Sequence, residues 1–204
     1  MKWPRISHLP DSPGVSRDDL VLTNFDHFIG QEIIITEKLD GENCSLHYDC
    51  FHARSQDSAH HASRSWIKSY HASFKHLIPT HLQIVGENLY ACHSIYYDQL
   101  TTYFYVFAII DKNLQALLSI EQTLIICQKL GLTFVPILYR GLFSNKFPMP
   151  KHSKFGQEVE GYVLRLASEI AIKDFNVSIA KWVRPNHVIT DDHWTKNWRP
   201  NKLV

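Results

Sequence analysis

Hydrophobic and polar positions divide the chain into a series of short strand-like runs and two helical stretches. The first strongly apolar run is Ile33-Ile34-Ile35, β-branched residues that read as a buried strand. It ends at Lys38, and Asp40-Gly41 then turns the chain. Asn43 to Tyr48 alternates weakly and is expected to pair back on the lysine strand as a hairpin. Phe51 to Ser55 reads as a third short strand. Residues 63–78 carry Trp66, Tyr70, Phe74 and Leu77 on one helical face, with Ser63 as the expected N-cap. Leu82 to Glu87 reads as a strand, and Tyr103 to Asp111 is the most strand-like run in the chain. Alternation along it puts Tyr103, Tyr105 and Phe107 on one face and Phe104 on the other. Ser119 to Leu130 reads as a helix, with a Ser119/Gln122 capping box, a buried face of Ile120, Leu124 and Cys127, and Gly131 as its stop. Thr133 to Leu138 returns as a strand, Val159 to Arg165 is an apolar run led by Glu160, and Ser178 to Val183 holds Lys181.

Between these runs, residues 1–31 read as an irregular lead-in. It has turn chemistry at His8 to Gly14, a short helix starting at Arg17, and Phe25 and Phe28 packed on the core. Residues 143–158 are a polar connection with Lys146, Lys151 and Lys154, expected to cross the surface near a site mouth.

A length of 204 residues suits one domain, and 45% hydrophobic with 20% charged residues is ordinary globular composition. No apolar run approaches the ~20 residues needed to span a bilayer. The N-terminus lacks the apolar core of a signal peptide. Cys44, Cys50, Cys92 and Cys127 show no Cys-x-x-Cys spacing, which argues against zinc or a disulfide framework and makes a reducing cytoplasm the expectation. The net charge of +1 hides an asymmetry: residues 1–138 carry a net of −4 and residues 139–204 a net of +5. A basic C-terminal third suits a polyanion, although a solvated surface has the same composition.

Chemistry centres on Lys38. A strand fixes its backbone and a tight turn leaves space beside its amine. To act as a nucleophile the amine must lose its proton, which a desolvated site near other cations favours. His60, His61 and Arg64 crowd the start of the first helix, where an anion site is physically reasonable. The tail interleaves His187, His193, Trp194 and Trp198 with Lys196, Arg199 and Lys202, a pattern suited to stacking bases and holding phosphates or simply to docking on the core.

Taken in order, the motifs resemble a known family. Glu37-Lys38-x-x-Gly41-x-Asn43 resembles motif I of the covalent nucleotidyltransferases (RNA ligases, DNA ligases and mRNA capping enzymes) in its RNA ligase form. Arg54 resembles the arginine of motif Ia, Gly86 to Ala91 resembles motif III, and Tyr103 to Asp111 resembles motif IIIa. Val159 to Arg165 resembles motif IV and Ser178 to Val183 resembles motif V, so the resemblance covers roughly residues 32–184. Two departures stand out. The usual Lys-x-Lys of motif V keeps only Lys181, flanked two places away by Ile179 and Val183, with Arg184 as the candidate replacement; the usual Phe-Asp of motif IIIa is Phe107-Ala108.

The resemblance implies an α+β fold, a nucleotidyltransferase domain of the ATP-grasp-like DNA/RNA ligase type, with antiparallel sheets around a nucleotide cleft and helices outside. It implies one such domain over residues 1–204, without a separate C-terminal domain. It implies ATP and Mg²⁺ (or Mn²⁺), with Lys38 as the nucleophile that forms a lysyl-AMP intermediate. Arg54, Glu87 and Phe107 would hold the nucleotide, Tyr105 is the second choice for stacking, and Glu37 would reach the base edge. Glu160 would bind the metal, Lys181 the α-phosphate, and Asn43, Arg64 and Arg184 are further candidate contacts to phosphate or nucleic acid. The implied activity is ATP-dependent joining of a 5′-phosphate to a 3′-hydroxyl on RNA, with a separate protein or domain as a possible source of substrate recognition. A DNA ligase and a GTP-using capping enzyme share the first chemical step. A non-catalytic nucleic-acid-binding or nucleotide-binding module is the alternative of another class.

Overall fold

Ile33, Ile34 and Ile35 have no exposed surface, and the fold buries them on both faces of one strand. The structure is a computed structural model that describes residues 1–54, 61–144, 152–156, 159–185 and 198–204. The three isoleucines lie in β2 (Glu32–Lys38), inside a sheet ordered β1 (Ser7–His8), β12 (Ile179–Val183), β10 (Gly161–Leu166), β2, β9 (Ile137–Leu142). Alternation sends Ile33 and Ile35 to the outer face with Phe28, Tyr162 and Leu164, and Ile34 to the inner face with Ile120 and Ala167.

Because β10 and β9 occupy both edges of β2, the chain after Gly41 does not form the expected hairpin with it. It crosses to a second sheet, where β3 (Glu42–Leu46) lies between β4 (Phe51–Ala53) and β5 (Leu82–Asn88). That sheet continues through β6 (Phe104–Asp111) to β7 (Ala116–Leu117) and β11 (Ile170–Ala171), while β8 (Thr133–Phe134) pairs with β6. The crossover is tight: a Cβ on Gly41 would come within 2.6 Å of the Asn88 carbonyl oxygen, which explains glycine here.

Helices α1 (Ser65–Phe74) and α2 (Ile120–Leu130) cover the outer face of the second sheet, against Leu46, Ile84, Phe104, Val106 and Ile109. Val85, Ala108 and Ile110 on its inner face meet Ile179, Phe175 and Trp3. The architecture is therefore α+β with mostly antiparallel sheets, as expected; among the described strands only β1–β12 and β6–β8 pair in parallel.

Several local expectations change. The capping box of Ser119 and Gln122 and the left-handed Gly131 stop (φ 66°) are present, but Thr123 takes the fully buried position expected of Leu124. In α1 the buried residues are Ile67, His71 and Phe74, with Trp66 and Tyr70 packed half-buried beside them. The helix tightens into a 3₁₀ turn at Lys75–Leu77, whose different pitch rotates Leu77 out to 53% exposure. Ser63 is not the N-cap of α1; it sits in a preceding 3₁₀ turn (Ala62–Arg64) capped by the His61 ring. Residues 17–20 form no helix. The strand expected over residues 133–138 breaks at Val135-Pro136 because proline has no N–H to continue the ladder, so β8 joins one sheet and β9 the other.

The end of the chain is docked. The Asn201 side chain accepts from the Tyr97 N–H at 2.9 Å and donates to the Leu89 carbonyl at 2.8 Å. Trp198 packs on Tyr90, and the Arg199 guanidinium lies 4.5 Å over the Tyr96 ring. Of the other tail residues singled out, His187, His193, Trp194 and Lys196 lie outside the described residues, as do Ser55, His60, Lys146 and Lys151. No described helix is long and apolar enough to cross a membrane.

Candidate active site

A cleft of about 870 Å³ runs between the two sheets. The strand register explains its floor. Thr36 on β2, Val163 on β10 and Lys181 on β12 are aligned partners, and the period of two places Lys38 on the same face as Thr36. The opposite wall carries Asn43, Glu87 and Phe107, with Glu87 and Asn43 directly paired across β5 and β3.

Lys38 is paired with a carboxylate. Its Nζ donates to both carboxylate oxygens of Glu160 at 2.6 Å. The two side chains are 27% and 8% exposed. Burial alone would lower the pKa of the amine, but the carboxylates of Glu160, Glu87 and Asp40 outweigh burial and hold it above the ordinary lysine value. This corrects the expectation of a depressed Lys38 pKa: carboxylates, not cations, dominate its surroundings.

Glu87 lies across from it, and its Oε1 accepts the Gly41 N–H at 3.2 Å. Burial pushes its carboxyl up to about 8; Lys38 opposes this, while Glu160 and Asp40 add to it. The sign of the stability effect follows. Between about pH 4.5 and about pH 8 the folded chain keeps a proton that the unfolded chain has lost, so stability falls as pH rises through that window. Glu87→Gln should therefore become progressively more stable than the parent over that range and level off above it, with a gain on the order of 5 kcal/mol at the plateau. Denaturant unfolding across pH checks this, and a pH-independent difference would contradict it.

The remaining candidates fall into place unevenly. Glu37 is 3% exposed; burial raises its carboxyl despite the Ser153 hydroxyl and the Lys154 N–H that it accepts at 3.5 Å. Lys154 thus touches a cleft residue through its backbone without lining the cleft itself, and residues 145–151, 157 and 158 of the expected connection lie outside the described residues. Arg64 and Glu42 line the wall as a fork, Nε to Oε2 at 2.8 Å and Nη2 to Oε1 at 2.5 Å. Arg54 lines the cleft from an exposed position just after β4. Burial lowers the pKa of Lys181, opposed by Asp19 at 3.7 Å. Arg184 does not place its side chain among the described lining residues; its backbone N–H donates to the Glu160 carbonyl at 3.0 Å.

Phe107 reaches the cleft through a β-bulge. Val85 pairs with Ala108 and Gly86 with Val106, which leaves Phe107 as an extra residue on β6. Tyr105, the second choice for stacking, is fully buried and its hydroxyl accepts the Thr101 N–H at 3.0 Å, so it is withdrawn from that role.

Sequence reading missed the contribution of the lead-in. Trp3, Arg5 and Asp19 all line the cleft. Asp19 is tied to the buried His8 at 3.3 Å, and His8 pairs with Lys181 across β1 and β12. A two-residue strand leaves no periodicity to detect. The Glu42–Arg64 pair, 22 positions apart, has no local signature either.

The RNA ligase family model matches residues 31–183. No curated protein sequence matches the chain. Among solved structures, a Naegleria gruberi RNA ligase variant with ATP and Mn superposes with a TM-score of 0.60 at 16% identity, covering 94% of this chain and 60% of the other. The same organism's RNA ligase with PPi gives a TM-score of 0.56 at 17% identity, covering 90% and 57%. A protein from Aquifex aeolicus described as an ATP-dependent DNA ligase gives 0.53 at 19% identity, covering 90% and 50%. At these identities the likeness speaks for the fold. The chain spans about half to three fifths of the length of these proteins.

Proposed function

The chain belongs to the RNA ligase family, and from that premise we propose that it takes AMP from ATP onto Lys38, passes it to a 5′-phosphate and seals that end to a 3′-hydroxyl on RNA. The observation that carries the reading is Lys38 on the cleft floor, with Glu87 opposite and Lys181 on the same face, its amine held at 2.6 Å by Glu160, which is not itself among the described lining residues.

The donor set suits a hard divalent cation. Mg²⁺ is commonly held by one or two carboxylates together with substrate phosphates, and Glu160 supplies one without a larger ligand cluster, none of which occurs among the described residues. Such an ion, when bound, supplies neutralising charge to the phosphoryl oxygens. Glu160 would be its main protein ligand.

The side chains divide the remaining work. In the free site Lys38 is protonated and unreactive. Once Glu160 turns away from the amine, the largest force that raises its pKa is gone, and burial with the nearby Lys181 charge favours the neutral, nucleophilic form. Lys181 holds the phosphate at the reacting centre, where charge accumulates in the transition state. Phe107 stacks on the base, Glu37 faces its edge, and Arg54, Asn43 and the Arg64–Glu42 fork stand along the sugar and phosphates. Asp19, which pairs with Lys181, must yield to the phosphate.

A comparison of matched junctions, varying only the sugar on each side, tests the substrate. Ends containing RNA should be sealed faster than all-DNA ends, with the preference at the nucleotide that donates the 3′-hydroxyl. Equal or faster sealing of all-DNA junctions would move the protein to the DNA ligase reading.

A further inference from the structure

A second hollow of about 460 Å³ opens beside the cleft, lined by Lys2, Trp3, Pro4, Arg5 and Arg54. All of these except Lys2 also line the cleft, so the two spaces share a wall. Lys38, Glu87 and Lys181 line the cleft and not the hollow. The hollow therefore adjoins the cleft through a wall that includes Arg54 and does not include the reactive lysine.

We propose that this hollow is a phosphate subsite for the backbone of the RNA strand where it leaves the cleft, a reading that rests on the ligase function proposed above. Its chemistry is one-sided: three cations and no carboxylate among the described lining residues. Cations elsewhere in the site are engaged, Lys38 by Glu160, Arg64 by Glu42 and Lys181 by Asp19. None of the ion pairs among the described residues uses Lys2, Arg5 or Arg54. A wall of this kind attracts a polyanion, and its low acid content costs nothing to clear before a phosphate enters.

The segment that carries these charges is held in place. Trp3 is 5% exposed and packs edge-on against Phe107 and Phe175, each at 5.1 Å between ring centres. The buried Gln83 amide donates to the Met1 carbonyl at 2.8 Å, and Arg5 Nη1 donates to the Asp18 carbonyl at 3.3 Å. The backbone is fixed while the Lys2 and Arg5 side chains remain exposed, so binding orders few new groups. The nucleotide's own phosphates are a poorer match, because Lys2 does not line the cleft that would hold them.

The test measures binding of a labelled, 5′-phosphorylated single-stranded RNA to the full chain by fluorescence anisotropy over a salt series. The Lys2→Glu, Arg5→Glu double variant should bind at least about tenfold more weakly at low salt, and its log–log salt slope should fall by about 1.4, the loss of two single-strand phosphate contacts. Lys2→Glu alone should take up AMP at the parental rate. Unchanged RNA affinity and slope in the double variant would overturn the proposal. So would a defect confined to the ATP concentration dependence, which would assign the hollow to the nucleotide. Loss of RNA affinity in a protein whose parent never takes up AMP would sink the ligase reading and leave the subsite standing.

Discussion

Lys38→Ala should bring AMP uptake down to background, a loss of at least about a thousandfold, because alanine offers no nucleophile and no other amine occupies that position on the cleft floor. The parent, incubated with ATP and Mg²⁺, should gain the mass of one AMP, and peptide mapping should place it on Lys38. A label on Lys181 or another residue, or no label with ATP or GTP, would overturn the assignment. The substitution also removes the partner of Glu160, whose side chain is 8% exposed. Breaking a buried pair leaves an uncompensated charge, so a stability loss on the order of 2 kcal/mol should accompany it at neutral pH. Lys38→Arg separates the effects: it keeps a cation beside Glu160 and should restore much of the stability without restoring AMP uptake.

Glu160→Gln should be nearly as damaging to nucleotide transfer, by about a hundredfold or more, while changing Lys38 in the opposite sense. The Glu160 carboxylate is the largest influence that raises the Lys38 pKa, and it works against burial. With it neutralised, the balance tilts toward burial and the pKa falls. The free amine fraction at neutral pH then grows, so Lys38 should react faster with a small acylating reagent than it does in the parent. Faster acylation together with slower nucleotide transfer would assign Glu160 to cation binding and show that the lysine itself remains competent. Normal transfer at limiting Mg²⁺ would make Glu160 a structural acid only. Slower acylation would show that the carboxylate does not control the charge of the amine.

Much of this protein was legible in its residue pattern, for a definite reason. Ile33 to Ile35, the Ser119/Gln122 box and Gly131 specify local geometry through side-chain sterics and nearby hydrogen bonds, interactions that sequence spacing encodes directly. Short motifs did the same for Lys38, Glu87, Phe107, Glu160 and Lys181, which the fold brings to one cleft or to the lysine in it. Strand partners were not legible in this way. The run after Gly41 has the alternation of a strand in either sheet, and the pairing of both edges of β2 with β9 and β10 leaves it to β5. The bulge that brings Phe107 to the cleft depends on a register shift against Val85 and Gly86, more than twenty positions earlier. The lead-in shows no periodicity, yet Trp3 and Asp19 become part of the wall because β1 pairs with β12 from the far end of the chain. The charge on Lys38 is the sharpest case: local sequence placed the amine, but its protonation is set by a carboxylate 122 positions away, because electrostatic energy depends on distance in space and on burial, and tertiary structure alone decides both.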